Sequence, residues 1–216
     1  MSAKIKDPAS ALTHLVGALL SVYGVFVLVY YAWKQATIWH VISFTIYGIS
    51  LISLYTASTI YHWLLVSEKT SLILRKIDHM MIYVLIAGTY TPICLIPLHG
   101  AWGWSLLIGI WILAILGIVL KAISMEVPRW ISTGIYIAMG WLVVVASYPL
   151  AKTLSLEGLA WLILGGIIYT LGAVIYAMKW PNFTCKWFGF HELFHLFVMG
   201  GSACHFWLMY RYILKA

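Results

Sequence analysis

Seven apolar stretches follow one another along this chain, at about 10–32, 39–65, 78–97, 101–120, 130–150, 157–178 and 190–213. Each is near or above the roughly 20 residues that an α-helix needs to cross a hydrocarbon core. A chain built this way has few folds open to it. Inside a bilayer no water satisfies backbone N–H and C=O groups, so each stretch must satisfy its own as a helix. Composition excludes the soluble alternative. Only 9% of the 216 residues are charged and 63% are hydrophobic, whereas soluble domains carry roughly 25% charged residues. The expected fold is all-α, a seven-transmembrane helix bundle forming a single polytopic domain over residues 1–216. The second stretch is long enough to tilt. Pro92 interrupts the third and predicts a kink. The breaks are short, as at Ser67-Glu68-Lys69 and Pro97-Leu98-His99-Gly100, and tryptophans such as Trp33, Trp63, Trp130 and Trp187 mark many edges, at headgroup level.

Lysine and arginine set the orientation. With seven spans, the N-terminus and the second, fourth and sixth loops share one side and hold Lys4, Lys6, Lys69, Arg75, Lys76, Lys121, Arg129, Lys179 and Lys186. The opposite side holds Lys34, Lys152, Arg211 and Lys215. Nine cations against four put the N-terminus in the cytoplasm and the C-terminus outside. The net charge of +7 follows from this bias. It points to membrane lipids as partners, through their anionic headgroups, and gives no reason to invoke nucleic acid. The expected location is the cell membrane, as a multi-pass protein, with the first stretch reading as a signal anchor rather than a cleavable leader. Cys94 and Cys204 fall within spans and Cys185 in a cytoplasmic loop, a spacing that forms neither a disulfide framework nor a CxxC site.

The chemistry concentrates near the C-terminus. His191-Glu192-Leu193-Phe194-His195 places two histidines four residues apart, on one face of a helix, at metal-ligand spacing. The predicted topology brings other polar groups to the same depth. His62 lies in the last turns of the second span, Asp78 opens the third, and His191 and His195 occupy the first two turns of the seventh. Ser58 sits one turn deeper than His62 on the same side of its helix. Three imidazoles with an open fourth position form a catalytic zinc arrangement, although imidazole also suits iron, copper and nickel. Asp78 can serve as general base toward a water at the open position, and Ser58 can orient that water or the developing oxyanion.

Each of these residues also has a plainer reading. An intramembrane histidine can simply hydrogen-bond a neighbouring helix, and His40, His99 and His205 are read that way. His205 lies about 15 Å further along its helix than His195, too far to join the cluster. His14 sits at the level of the cluster and can support it from behind. His79 adjoins Asp78, but neighbouring helical residues point about 100° apart, so the two are not expected to face one site. Asp78 can be a helix N-terminal charge favoured by the macrodipole, and Ser58 a small residue at a helix contact.

Ser58-Thr59-Ile60-Tyr61-His62, Arg75-Lys76-Ile77-Asp78-His79, Ile82-Tyr83, Ile86-Ala87-Gly88-Thr89-Tyr90-Thr91-Pro92 and His191-Glu192-Leu193-Phe194-His195 with Val198 together resemble the hemolysin III family. That family is the bacterial branch of the progestin and adipoQ receptor family and is similar to alkaline ceramidases. The resemblance covers essentially the whole chain. It departs in the first motif, where Asp7 stands at a position usually Glu and Ser10 at one commonly Asn, while Thr13-His14 match. The resemblance implies a seven-helix fold with Zn2+ held by His62, His191 and His195 near the cytoplasmic side, and Asp78 and Ser58 contacting the water. It implies hydrolysis of lipid amides or esters and a part in membrane lipid homeostasis.

Three function classes follow: a zinc-dependent, ceramidase-like lipid hydrolase; a pore-forming cytolysin responsible for haemolysis; and a receptor or sensor without turnover. A fourth, an intramembrane peptidase with Glu192 as base, ranks below them, because Glu192 is about 100° round the helix from His191.

Overall fold

A computed structural model describes residues 5–181 and 188–216. The readings placed on Lys4, Cys185, Lys186 and Trp187 lie outside these residues. Among the described residues there is no strand. The helices are α1 (Pro8–Gln35), α2 (Ile38–Trp63), α3 (Glu68–Leu95), α4 (Ala101–Ile123), α5 (Arg129–Trp141), α6 (Ser147–Thr153), α7 (Leu156–Met178) and α8 (Phe190–Arg211). A five-residue 3-10 segment, Leu142–Ala146, joins α5 to α6. Among the described residues, six helical rods are long and apolar enough to cross a membrane: α1, α2, α4, the α5–α6 rod from Arg129 to Thr153, α7, and α8 continued to Lys215. Their outward faces carry large apolar side chains, among them Leu19, Phe26, Ile115, Leu116, Ile163 and Leu171. So much exposed apolar surface is stable only against lipid.

The remaining long helix, α3, is the one that carries Asp78 and His79. It begins at Glu68, ten residues before the expected start of its apolar stretch, because Ser67 caps it by accepting the Thr70 N–H at 3.4 Å. Asp78 therefore lies about 15 Å inside the helix rather than at its opening. From Ala87 to Leu95 every α3 side chain is buried, and the helix packs against α2, α4 and α5. A helix enclosed by its neighbours needs no lipid-facing stripe, which leaves room for its threonines and tyrosines. Helix α3 also continues past Pro92, placing the proline in its last turn.

The expected fifth span, 130–150, is not one uniform helix. Tyr90 of α3 reaches the point where α5 changes to 3-10 geometry. Its hydroxyl lies 2.8 Å from the carbonyls of both Met139 and Gly140 and accepts the Val143 N–H at 2.8 Å. A side chain inserted into the hydrogen-bond ladder is a recognised cause of helix distortion. Here it also satisfies backbone groups that the change of geometry would otherwise leave unpaired. The polar ties continue at mid-depth, where Ser202 of α8 meets the hydroxyls of Tyr55 and Tyr169, each at 2.7 Å. These bonds join α2 and α7 to α8.

The turn between α3 and α4 is set by glycine. Gly100 has φ of 106°, which strains any side chain. A Cβ at Gly103 would meet the backbone carbonyls of Cys94 and Leu98, which cannot swing aside. Gly134 of α5, by contrast, faces open space. Gly103→Ala should therefore lower thermal stability by about 1–3 kcal/mol. Gly134→Ala should be neutral or raise it by up to about 1 kcal/mol. Thermal unfolding of the detergent-solubilised variants checks both, and equal behaviour would contradict the packing described here.

Candidate metal centre

An α-helix leaves its last carbonyls without internal partners. At the end of α2 the segment leading into α1 supplies them. The Lys6 N–H donates to the Trp63 carbonyl at 3.3 Å and the Asp7 N–H to the His62 carbonyl at 2.9 Å. Lys6 also places its ammonium over the Tyr61 ring, 3.7 Å from the centroid. This docking sets the Asp7 carboxylate beside the His62 ring, with Oδ2 3.0 Å from Nδ1. A carboxylate there accepts the Nδ1 proton, so His62 presents Nε2 as its lone-pair atom.

A parallel arrangement holds His195. Thr13 of α1 donates its hydroxyl proton to the Ser10 carbonyl at 2.9 Å, which leaves its oxygen to accept from His195 Nδ1 at 3.3 Å. His195 then also presents Nε2. Both rings are almost wholly buried, at 4% and 2% exposure. His191, one turn before His195 on α8, brings its Nε2 to 3.2 Å from His62 Nε2. One nitrogen from each of the three rings lies within 4.8 Å of the others.

The donor set fits zinc. Tetrahedral Zn–N bonds of 2.0–2.1 Å separate ligand nitrogens by about 3.4 Å, close to the His62–His191 spacing. Three neutral imidazoles leave a fourth position open, and Asp7 and Thr13 hold two of the rings from behind in the way that orients metal-binding histidines.

Glu192 does something else. Its Oε2 accepts the Gly189 N–H at 2.8 Å and its Oε1 accepts the Ser10 hydroxyl. It therefore caps the start of α8 and ties that helix to α1. Both oxygens are engaged, and Glu192 does not line the adjoining cavity.

That cavity, of about 510 Å3, is walled mainly by α2, α3, α5, α7 and α8, with His14 from α1 and Lys121 from α4. Ser58, Asp78, His191 and His195 all line it. Ser58 is 1% exposed. His79 lines it too, despite the angular offset from Asp78, and its Nδ1 lies 3.4 Å from the Asp78 carboxylate. The same ring nitrogen lies 2.9 Å from the Arg75 carbonyl, and Nε2 lies 3.4 Å from the Tyr176 hydroxyl. His14, 3% exposed, stacks on His195 with ring centroids 3.5 Å apart, and neither of its ring nitrogens has a hydrogen-bond partner among the described residues. Further off, His40 bonds the Ile213 carbonyl at 3.1 Å and His205 the Leu162 carbonyl at 3.3 Å. Cys94 and Cys204 are free and buried.

Asp7, Ser10 and Thr13 are the residues that the spacing of histidines alone does not reveal. Their signal is the short N-terminal motif Asp7-x2-Ser10-x2-Thr13-His14. The Asp7 carboxylate reaches the His62 ring from a backbone that is itself bonded to the His62 carbonyl.

The chain matches the family model described as "Haemolysin-III related" over residues 2–206. It is 42% identical over 210 residues to "Hemolysin-3 homolog" of Bacillus subtilis (strain 168), covering 97% of this chain and 95% of that protein. It is likewise 42% identical over 209 residues to "Hemolysin-3" of Bacillus cereus, covering 97% and 92%. It is 29% identical over 195 residues to human "Monocyte to macrophage differentiation factor", covering 85% and 73%. With six apolar helices, the molecule is a multi-pass membrane protein.

Asp7→Asn should weaken metal binding by about 10–100-fold while leaving one site per chain. Glu192→Gln should lower stability without changing metal affinity. Competition with a chromophoric chelator measures the affinities, and an unchanged Asp7→Asn value would contradict the orienting role of the carboxylate.

Proposed function

The chain belongs to the haemolysin-III-related family, and on that footing we propose that it is a zinc-dependent hydrolase of lipid amides or esters, acting in membrane lipid homeostasis. The observation that carries the reading is the meeting of three histidine nitrogens within 4.8 Å beside a cavity that also holds Asp78 and Ser58. His62, His191 and His195 would hold the ion. When bound, zinc supplies Lewis-acid polarisation and lowers the pKa of water to around 7. The Asp78 carboxylate takes the proton of the attacking water and returns it to the departing amine or alkoxide. His79 steadies that carboxylate from 3.4 Å. Ser58 donates its hydroxyl to the oxygen on which negative charge develops. The apolar lining, including Leu54, Ile82, Leu85 and Ile86, receives the acyl chain and keeps bulk water away.

The reading includes a seven-span topology in which α3 joins the six apolar rods. The cation asymmetry supports a metal centre near the cytoplasmic face, with the N-terminus inside and the C-terminus outside. With relatives from two Bacillus species at 42% identity, the bilayer is a bacterial plasma membrane. Membrane lipids are its partners. A phosphatase fused to the C-terminus should be active, since it folds only outside the cytoplasm. An inactive phosphatase beside a fluorescent C-terminal reporter would reverse the orientation.

The name Hemolysin-3 on the Bacillus cereus relative keeps a cytolysin in view. The apolar outer faces of the helices are poorly suited to export through water. Haemolysis by purified protein that persists after zinc removal would favour it.

Hydrolysis is tested by fatty-acid release from ceramide and phospholipid in purified protein. Asp78→Ala should lower turnover by about 100-fold or more, and Glu192→Gln should retain it. Undiminished turnover in metal-free protein would overturn the mechanism, and loss in Glu192→Gln with metal still bound would restore the peptidase reading.

A further inference from the structure

Among the described residues, four cations line the cavity beside the candidate metal centre, and none is paired with an acid. Arg75, Lys121, Arg129 and Lys179 all contribute to its wall. All six acidic residues of the chain lie among the described residues. The ion pairs there involve only Asp7 and Asp78, with Lys6, His62 and His79. Arg75 and Lys179 are exposed, Arg129 is half-buried and Lys121 is only 2% exposed. The Lys121 ammonium donates to the Ser132 hydroxyl at 2.7 Å, which leaves two of its three N–H donors free. Arg129 donates to the Tyr176 carbonyl at 3.2 Å and lies over the Tyr176 ring at 4.5 Å.

Orientation in the bilayer does not account for this placement. A positive-inside charge works from a solvated flank, whereas Lys121 and Arg129 turn inward. Burying an ammonium without a counter-charge is costly. Asp78 is the one carboxylate on the lining, so with neutral histidines the cavity carries a net positive charge.

We infer that this cationic rim binds the phosphate of an anionic acyl lipid whose chain lies along the cavity. The spacing suits such a guest. Arg75 precedes Asp78 by three residues, about 4.5 Å along α3, and the lining continues through Ile82 and Ile86 to Tyr90, about 22 Å from Arg75. A phosphate held at the rim therefore sets a nearby acyl carbonyl at the level of Asp78 and the histidines, with the chain running inward. Arg129 offers a planar fork and Lys121 a point charge, both suited to phosphate oxygens. The cavity volume of about 510 Å3 is within the range of ligand sites. Naming this lipid as the substrate class rests on the hydrolase reading; the binding site itself does not.

Binding of phosphatidylglycerol and of phosphatidylcholine to the full-length protein in neutral detergent, read by native mass spectrometry, tests the inference without turnover. Phosphatidylglycerol should bind at least about tenfold more tightly, and Lys121→Gln and Arg129→Gln should each remove most of that preference. Lys121→Arg, which keeps the charge, should retain it, separating loss of binding from loss of fold. Equal affinity for the two lipids, or an unchanged preference in both glutamine variants, overturns the inference. Inorganic phosphate that displaces the lipid at comparable concentration also overturns it, in favour of a free-anion site. A lipid preference without hydrolysis supports the binding site and counts against the hydrolase. Hydrolysis without a preference does the reverse.

Discussion

A helix that ends inside an apolar assembly leaves carbonyls that must find donors, and in this chain the last turn of α2 carries His62. The donors come from Lys6 and Asp7, at the entry to α1. That docking closes the end of α2 and in the same step places a carboxylate against the His62 ring. From there α1 turns inward, and its first turns offer Ser10 to Glu192 and Thr13 to His195 on α8. One helix start therefore brings the ends of two others into register. The three-histidine cluster depends on it, because His62 comes from α2 whereas His191 and His195 come from α8.

The low-dielectric surroundings explain how the remaining polar residues are distributed. The outer helices present aliphatic and aromatic side chains to lipid, and polar groups collect where helices meet. Tyr90 satisfies the break in the α5–α6 rod, and Ser202 gathers two tyrosine hydroxyls. Helix α3 is the extreme case. It is enclosed over its C-terminal half and carries Asp78 and His79 on the cavity side. Its lower apolarity follows from being interior to the bundle, and the cavity exists where this polar helix faces α5, α7 and α8.

Much of this was legible in the sequence for physical reasons. Apolar runs of bilayer length leave only helices, and the His191–His195 spacing defines a shared helix face. Alternating direction through successive spans brings His62, Asp78 and that face to one end. What hydropathy could not give were helix limits, since α3 begins in polar residues, capped by Ser67, well before its apolar stretch. Helical angles separated Asp78 from His79, yet both line a cavity wide enough to take residues about 100° apart on one helix. Asp7 shows in the sequence only as a departure from the family's usual Glu, because the bonds that bring it to His62 are contacts across 55 residues. The inward placement of Lys121 and Arg129 was hidden for a similar reason. In one dimension they are topology-setting charges, and only the packed bundle turns them toward the cavity.

On the proposed reading, His62, His191 and His195 form one metal site whose geometry is set by the start of α1. Metal analysis of purified protein beside His62→Ala tests it most directly. One tightly held zinc ion per wild-type chain is expected, and little or none in the variant at equal folding. Wild-type protein without stoichiometric metal, or a variant that keeps it, would contradict the account.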